Sequence, residues 1–165
     1  MDDWEWLRTV LVVIVWVTVA GGALMATLWT AFGGTRAYGP EDELLADAGV
    51  AVGTDRGRVT SFSSAQVGIH GLLGITTAGL VTYAAARADD RTTGYWAALV
   101  AIAVTAIPGV VMYLKWHGGR RPGSARPARG EPTRVESRLP RPIVYGHGLA
   151  VLATVAALVV LLFVE

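Results

Sequence analysis

Residues 143–164 read IVYGHGLAVLATVAALVVLLFV, an apolar run of 22 residues without a charged side chain. As an α-helix with a rise of about 1.5 Å per residue, this run is about 33 Å long, enough to cross a hydrocarbon core of about 30 Å. Three more runs of this length occupy residues 10–31, 65–86 and 95–116, and Lys115 is their only charged residue. Backbone groups in lipid must be hydrogen-bonded within their own segment, so each run predicts a transmembrane helix.

The composition of the whole chain agrees with a membrane location. Of its 165 residues, 53% are hydrophobic and only 16% are charged, whereas soluble domains carry about 25% charged residues. The mean hydropathy is +0.46. The chain contains no cysteine, which excludes disulfides, thiolate metal sites and thiol catalysis. We therefore expect an all-α integral membrane protein, a single domain built as an up-down bundle of four transmembrane helices.

The first apolar run is expected to stay in the membrane rather than to be cleaved. Its leader, MDDWEWLR, is acidic, whereas the leader of a signal peptide is basic, and the apolar run is longer than a signal peptide needs.

The three connecting segments differ in length and chemistry. In the first, residues 32–64, Pro40 and the acidic residues after it predict a short amphipathic helix at 40–51. The second, residues 87–94, is so short that the helices it joins must be antiparallel neighbours. The third, residues 117–142, holds five of the seven prolines and seven arginines, so we expect it to be extended and mobile.

The charges indicate an orientation. Four spans place both termini on one side, where three basic residues lie, whereas the other side has eleven, ten in the two long connections and Lys115 at the end of the third span. The positive-inside rule then predicts cytoplasmic long loops and external termini. Thirteen arginines against one lysine, with abundant alanine, are typical of a GC-rich bacterial genome, so the expected location is the bacterial plasma membrane.

Two of the three histidines lie inside predicted spans in similar surroundings. His70 stands in GIHGL and His147 in GHGL, and each is followed seven residues later by a threonine, Thr77 or Thr154. Both spans start from the same side of the membrane, and each histidine lies about one and a half turns from the start of its span. The sequence therefore predicts that the two imidazoles lie at nearly equal depth.

Several kinds of chemistry are open to this pair. In an up-down bundle the second and fourth helices are diagonal, so His70 and His147 could be the two axial ligands of a b-type haem, with Arg141 near its propionates. A zinc or copper site would need His117 as a third histidine ligand. Binding of a quinone beside Tyr145 is a further alternative. In the simplest alternative, both histidines only bond neighbouring helices.

The arginines of the third connection are expected to contact lipid or a partner. Arg120, Arg121, Arg126 and Arg129 would be attracted to anionic headgroups at the inner leaflet. Docking of an acidic partner protein is equally open. We expect no nucleic acid, because aromatic stacking partners are missing from this segment.

Two functional classes follow. The first is a non-enzymatic accessory or structural subunit of a larger membrane complex, favoured by the small size and the absence of catalytic motifs such as G-x-S-x-G or H-E-x-x-H. It also fits the small residues of the spans, which allow close helix packing. The alternative is a haem or quinone-interacting redox protein that uses His70 and His147. No residue is predicted to be catalytic.

Overall fold

The computed structural model describes residues 4–52, 55–87, 91–118 and 133–164. Within these ranges there are five α-helices: α1 (Glu5–Ala31), α2 (Pro40–Asp47), α3 (Ser64–Ala86), α4 (Arg91–Gly118) and α5 (Arg141–Val164). All except α2 are long and apolar enough to cross a membrane. The chain is thus mostly helical, as its apolar runs predict.

The helices extend beyond the apolar runs because the flanking polar residues continue the helical backbone hydrogen bonds or cap the helix ends. At the start of α3, the Ser63 hydroxyl accepts a hydrogen bond from the backbone N–H of Gln66 (3.0 Å). Helix α4 continues across Pro108, which lies inside it. Helix α2 begins at Pro40 as predicted but ends at Asp47, and Gly49, at a positive φ of 77°, follows its end.

The four long helices pack side by side in a ring. Helix α3 packs against α4 and α1, and α5 packs against α1 and α4, so α3 and α5 occupy diagonal positions. One buried cluster joins Leu11 near the start of α1, Ala84 near the end of α3, Tyr95 near the start of α4 and Leu161 near the end of α5. Neighbouring helices therefore run in opposite directions.

The interior has two separate cores. The terminal-end core lies near the chain termini and consists of Leu11, Val15, Ala78, Val81, Ala84, Tyr95, Ala98, Ile102, Ala157, Leu158 and Leu161. The loop-end core lies at the opposite end and consists of Trp29, Ala37, Phe62, Trp116, Val135 and Leu139. The two histidine-bearing segments lie between these cores.

The connections at the loop end form a small sheet that the all-α expectation did not include. Strands β1 (Ala37–Tyr38), β2 (Asp55–Val59) and β3 (Thr133–Arg134) pair in parallel in that order. Tyr38 is in register with Val59, and Val59 with Arg134. Strands of two to five residues drawn from distant segments carry too little periodicity to be read from sequence.

The expectation that residues 117–142 are extended and mobile is wrong for their last part. After β3, a 3₁₀ turn at Val135–Arg138 leads into α5. Val135 and Leu139 are almost completely buried in the loop-end core, 1% and 5% exposed. These apolar side chains anchor the segment despite its arginines and prolines. Residues 119–132 lie outside the described ranges.

Candidate functional site

His70 on α3 and His147 on α5 face each other across the bundle. Their ring centroids are 6.3 Å apart, and the ring planes are 76° to each other. Both side chains are partly buried. The two diagonal helices thus bring their only histidines close together, at similar heights in the bundle.

Each imidazole is oriented by a backbone carbonyl of a neighbouring helix. His70 Nδ1 lies 3.1 Å from the Thr105 carbonyl oxygen of α4, and His147 Nδ1 lies 3.0 Å from the Thr18 carbonyl oxygen of α1. Because a carbonyl oxygen only accepts, each Nδ1 carries the hydrogen and donates. In its neutral form each ring then keeps an Nε2 lone pair that can bind a ligand.

A glycine makes room for each ring. Gly109 follows Thr105 by four residues, and a Cβ at this position would lie 2.8 Å from His70 Cε1. Gly22 follows Thr18 by four residues, and a Cβ there would lie 3.3 Å from His147 Cε1. The carbonyl that accepts the hydrogen bond and the glycine beneath the ring are thus one helical turn apart in both cases.

The arrangement is therefore duplicated around the bundle, with α3 and α4 forming one half-site and α5 and α1 the other. The duplication extends to the threonines seven residues after each histidine, since Thr77 and Thr154 are both buried. It is incomplete in one contact: the Thr77 hydroxyl is hydrogen-bonded to the Thr105 hydroxyl (2.8 Å). The Thr18 hydroxyl donates to the Ile14 carbonyl of its own helix.

The histidines lie between the two cores, in a layer of partly buried side chains. No residue is fully buried in the stretches 16–28, 64–76, 103–115 and 141–153, all of which the structure describes. Each stretch covers 13 residues, about 20 Å along the helix axis.

The donor set fits a haem better than an isolated metal ion. Zinc sites use three or four protein ligands, and the described residues contain no group of three or more His, Cys, Asp and Glu that could hold a metal. A haem iron needs only two axial ligands. His70 and His147, with ring centroids 6.3 Å apart, match this requirement in number.

His117 does not join the other two histidines. It lies in the last turn of α4, is exposed, and stacks on Tyr113 with ring centroids 5.9 Å apart. Trp116 connects Tyr113 to Tyr145 of α5 through ring contacts of 5.8 and 5.6 Å. The metal site with three histidine ligands is therefore not formed in the described part of the chain.

Of the arginines named in the prediction, the structure describes Arg141 but not the four of the third connection. Arg141 is exposed at the first position of α5, six residues before His147. The four arginines predicted to contact lipid or a partner, Arg120, Arg121, Arg126 and Arg129, lie outside the described residues.

Sequence reasoning missed the residues that support the histidines. The signal was present as TVAGG at residues 18–22 and TAIPG at residues 105–109, each with a threonine four residues before a glycine. Which residues of α1 and α4 face the histidines depends on how each helix is rotated about its axis. Only the packed structure fixes that rotation.

A second polar cluster closes the loop end of the bundle. Glu136 is 3% exposed, and its Oε1 accepts hydrogen bonds from the Thr60 hydroxyl, from Ser61 N (2.6 Å) and from Phe62 N (3.2 Å). Lys115 Nζ donates to the Ser61 carbonyl (2.8 Å). These bonds attach the segment before α5 to the segment before α3, next to the end of α4.

No protein-family model, curated protein or solved structure matches this chain. The functional argument therefore depends on the geometry of the site.

Proposed function

We propose that the chain is a membrane-spanning b-type haem protein, with His70 and His147 as the axial ligands of one haem iron. The single observation that carries the proposal is the duplicated half-site: an imidazole, a carbonyl that orients it and a glycine that makes room for it, twice, on diagonal helices. A structural histidine needs only one hydrogen-bonded neighbour. Two such histidines facing each other match the demand of a six-coordinate iron.

The chain's own residues would tune the site. The carbonyl oxygens of Thr105 and Thr18 fix the Nδ1–H tautomers and, by accepting these hydrogens, make both Nε2 atoms more basic ligands. Arg141, on the loop side of His147, would pair with a propionate. A haem bound here would supply one-electron redox chemistry. The terminal-end core, closed by Leu158 and Val81, would limit access of water from that end.

The same proposal includes the location of the chain. Four helices that are long and apolar enough to span a membrane support a four-helix bundle in the bacterial plasma membrane. The excess of basic residues on the two long connections supports external termini and cytoplasmic loops. The haem would then lie between the middle of the membrane and its cytoplasmic face.

An absorption spectrum of the purified protein tests the proposal. After expression with added haem, we expect a Soret band and, on reduction, the sharp α band of a low-spin iron. His70→Ala and His147→Ala should each remove the low-spin spectrum. His117→Ala, which changes the exposed third histidine, should leave it intact. A colourless preparation, or a spectrum unchanged in the His70 and His147 variants, would overturn the proposal.

The role as an accessory subunit of a larger complex stays a prediction. The glycines Gly68, Gly71, Gly146 and Gly148 are exposed and have open space above them, which allows another helix to approach closely. Co-purification of a larger assembly in mild detergent, together with a colourless product, would favour this role over the haem protein.

A further inference from the structure

A groove lies at the opposite end of the bundle from the polar cluster of Glu136. It has a volume of about 280 Å³ and runs between the last turns of α3 and the first turns of α4. Its apolar wall consists of Leu80, Ala84, Gly94 and Ala97. A Cβ at Gly94 would lie 2.9 Å from the Ala84 Cβ, so the two helices touch here through their smallest side chains. Because the side chains on both sides of this contact are larger, an open groove remains between the two helices.

The rim of the groove is polar and carries a positive charge. The Arg87 guanidinium lies 4.9 Å from the centre of the Tyr83 ring, a cation–π contact that holds it at the mouth of the groove. Both side chains are exposed. A guanidinium has five N–H donors in a planar fork, a geometry that matches a phosphate group.

The position of the groove defines the chemistry of its occupant. Arg87 directly follows α3, where a spanning helix leaves the hydrocarbon and reaches the level of the lipid phosphates. The wall below it faces the level of the acyl chains. An occupant must therefore combine an anionic group at the interface with an apolar tail. At about 280 Å³, the volume is at the lower end of the range for small-molecule sites and suits one chain rather than a helix.

We propose that this groove binds one anionic phospholipid, with its phosphate on Arg87 and one acyl chain along the wall formed by Ala84, Gly94 and Ala97. Arg–phosphate contacts are charge-assisted and can be bidentate, which gives the site a preference beyond general lipid contact. The inference requires that the chain spans a membrane, but it does not depend on haem binding.

The test counts phospholipids retained by the full-length protein. The protein is reconstituted in nanodiscs of phosphatidylglycerol or phosphatidylcholine, released in mild detergent and examined by native mass spectrometry. We expect one retained phosphatidylglycerol per chain and less phosphatidylcholine. Arg87→Gln should lower retention of phosphatidylglycerol about fivefold, the effect of one basic group at an anionic surface. Arg138→Gln, a matched change of an exposed arginine at the other end of the bundle, should lower retention less, because Arg138 does not line the groove.

A second variant tests the groove itself. Ala97→Leu places a larger side chain on the exposed wall and should lower retention to a similar extent, with helix content checked by circular dichroism. If Ala97→Leu does not fold, Thr93→Leu at the rim replaces it. Equal retention in wild type, Arg87→Gln and the groove variants would overturn the proposal. So would a wild-type protein that retains no lipid, or one whose groove is occupied by a partner helix on cross-linking.

Discussion

His70 and His147 lie 6.3 Å apart, measured between ring centroids, although 77 residues separate them in the chain. Their helices are diagonal in the bundle, so neither histidine is oriented by the other's helix. Each ring is held instead by the helix beside it, α4 for His70 and α1 for His147. A change on α1 or α4 can therefore disturb one ligand and leave the other in place, and this makes the site testable one half at a time.

Gly109→Ala should displace His70 without altering any polar group. The new Cβ would lie 2.8 Å from His70 Cε1, closer than such atoms approach, so the ring must move away from the Thr105 carbonyl. We expect loss of the low-spin haem spectrum. The matched control is Gly148→Ala, next to His147, where a Cβ meets nothing within 4 Å. The control should keep the spectrum and gain up to about 1 kcal/mol, because alanine favours helix.

Failure of this contrast would be informative. If Gly109→Ala and Gly148→Ala bind haem equally well, the position of the His70 ring over Gly109 does not matter for binding. The half-site interpretation would then have to be abandoned.

Thr105→Val should cost more stability than Thr18→Val. Both changes remove a hydroxyl that bonds to a carbonyl four residues earlier in its own helix. Only the change at Thr105 also removes a hydrogen bond to a second helix, the bond to the buried Thr77 hydroxyl of α3. Hydrogen bonds between transmembrane helices average about 0.6 kcal/mol, so we expect a difference of about this size in the free energy of unfolding. Titration with a denaturing detergent measures it, and equal stability of both variants would contradict the expectation.

Glu136→Ala should loosen the loop end of the bundle. The change removes the acceptor of the Ser61 N–H, whereas the Phe62 N–H keeps the Thr60 hydroxyl oxygen and the Thr60 hydroxyl keeps the Phe62 carbonyl. A buried donor without a partner costs about 1–3 kcal/mol, so we expect a loss of about this size. A lower midpoint of thermal unfolding and faster proteolysis of the folded protein would report it. Glu43→Ala, on the exposed face of α2, should change stability by no more than about 0.5 kcal/mol.

The long helices and the depth of the histidines could be predicted because both follow from the length of apolar runs. A run of 22 residues fixes where a span begins, and equal offsets of His70 and His147 from their starts fix equal depth. The buried Glu136 could not be predicted. Its burial depends on backbone donors at residues 60–62, which only the folded connections bring close. The rotation of α1 and α4, which selects Thr18 and Thr105 as partners, is likewise a property of packing.

The orientation of the chain can be tested because it contains no cysteine of its own. Ser137→Cys places a thiol on an exposed residue at the loop end, and Thr92→Cys places one on an exposed residue at the terminal end. If Lys115 and the ten basic residues of the long connections keep these segments in the cytoplasm, an impermeant maleimide added to intact cells should label the cysteine at 92 and spare the one at 137. Permeabilised cells, in which both should react, control for accessibility. The reverse pattern would place the loop end outside the cell. His70 and His147, which lie closer to the loop end, would then be nearer the external face of the membrane.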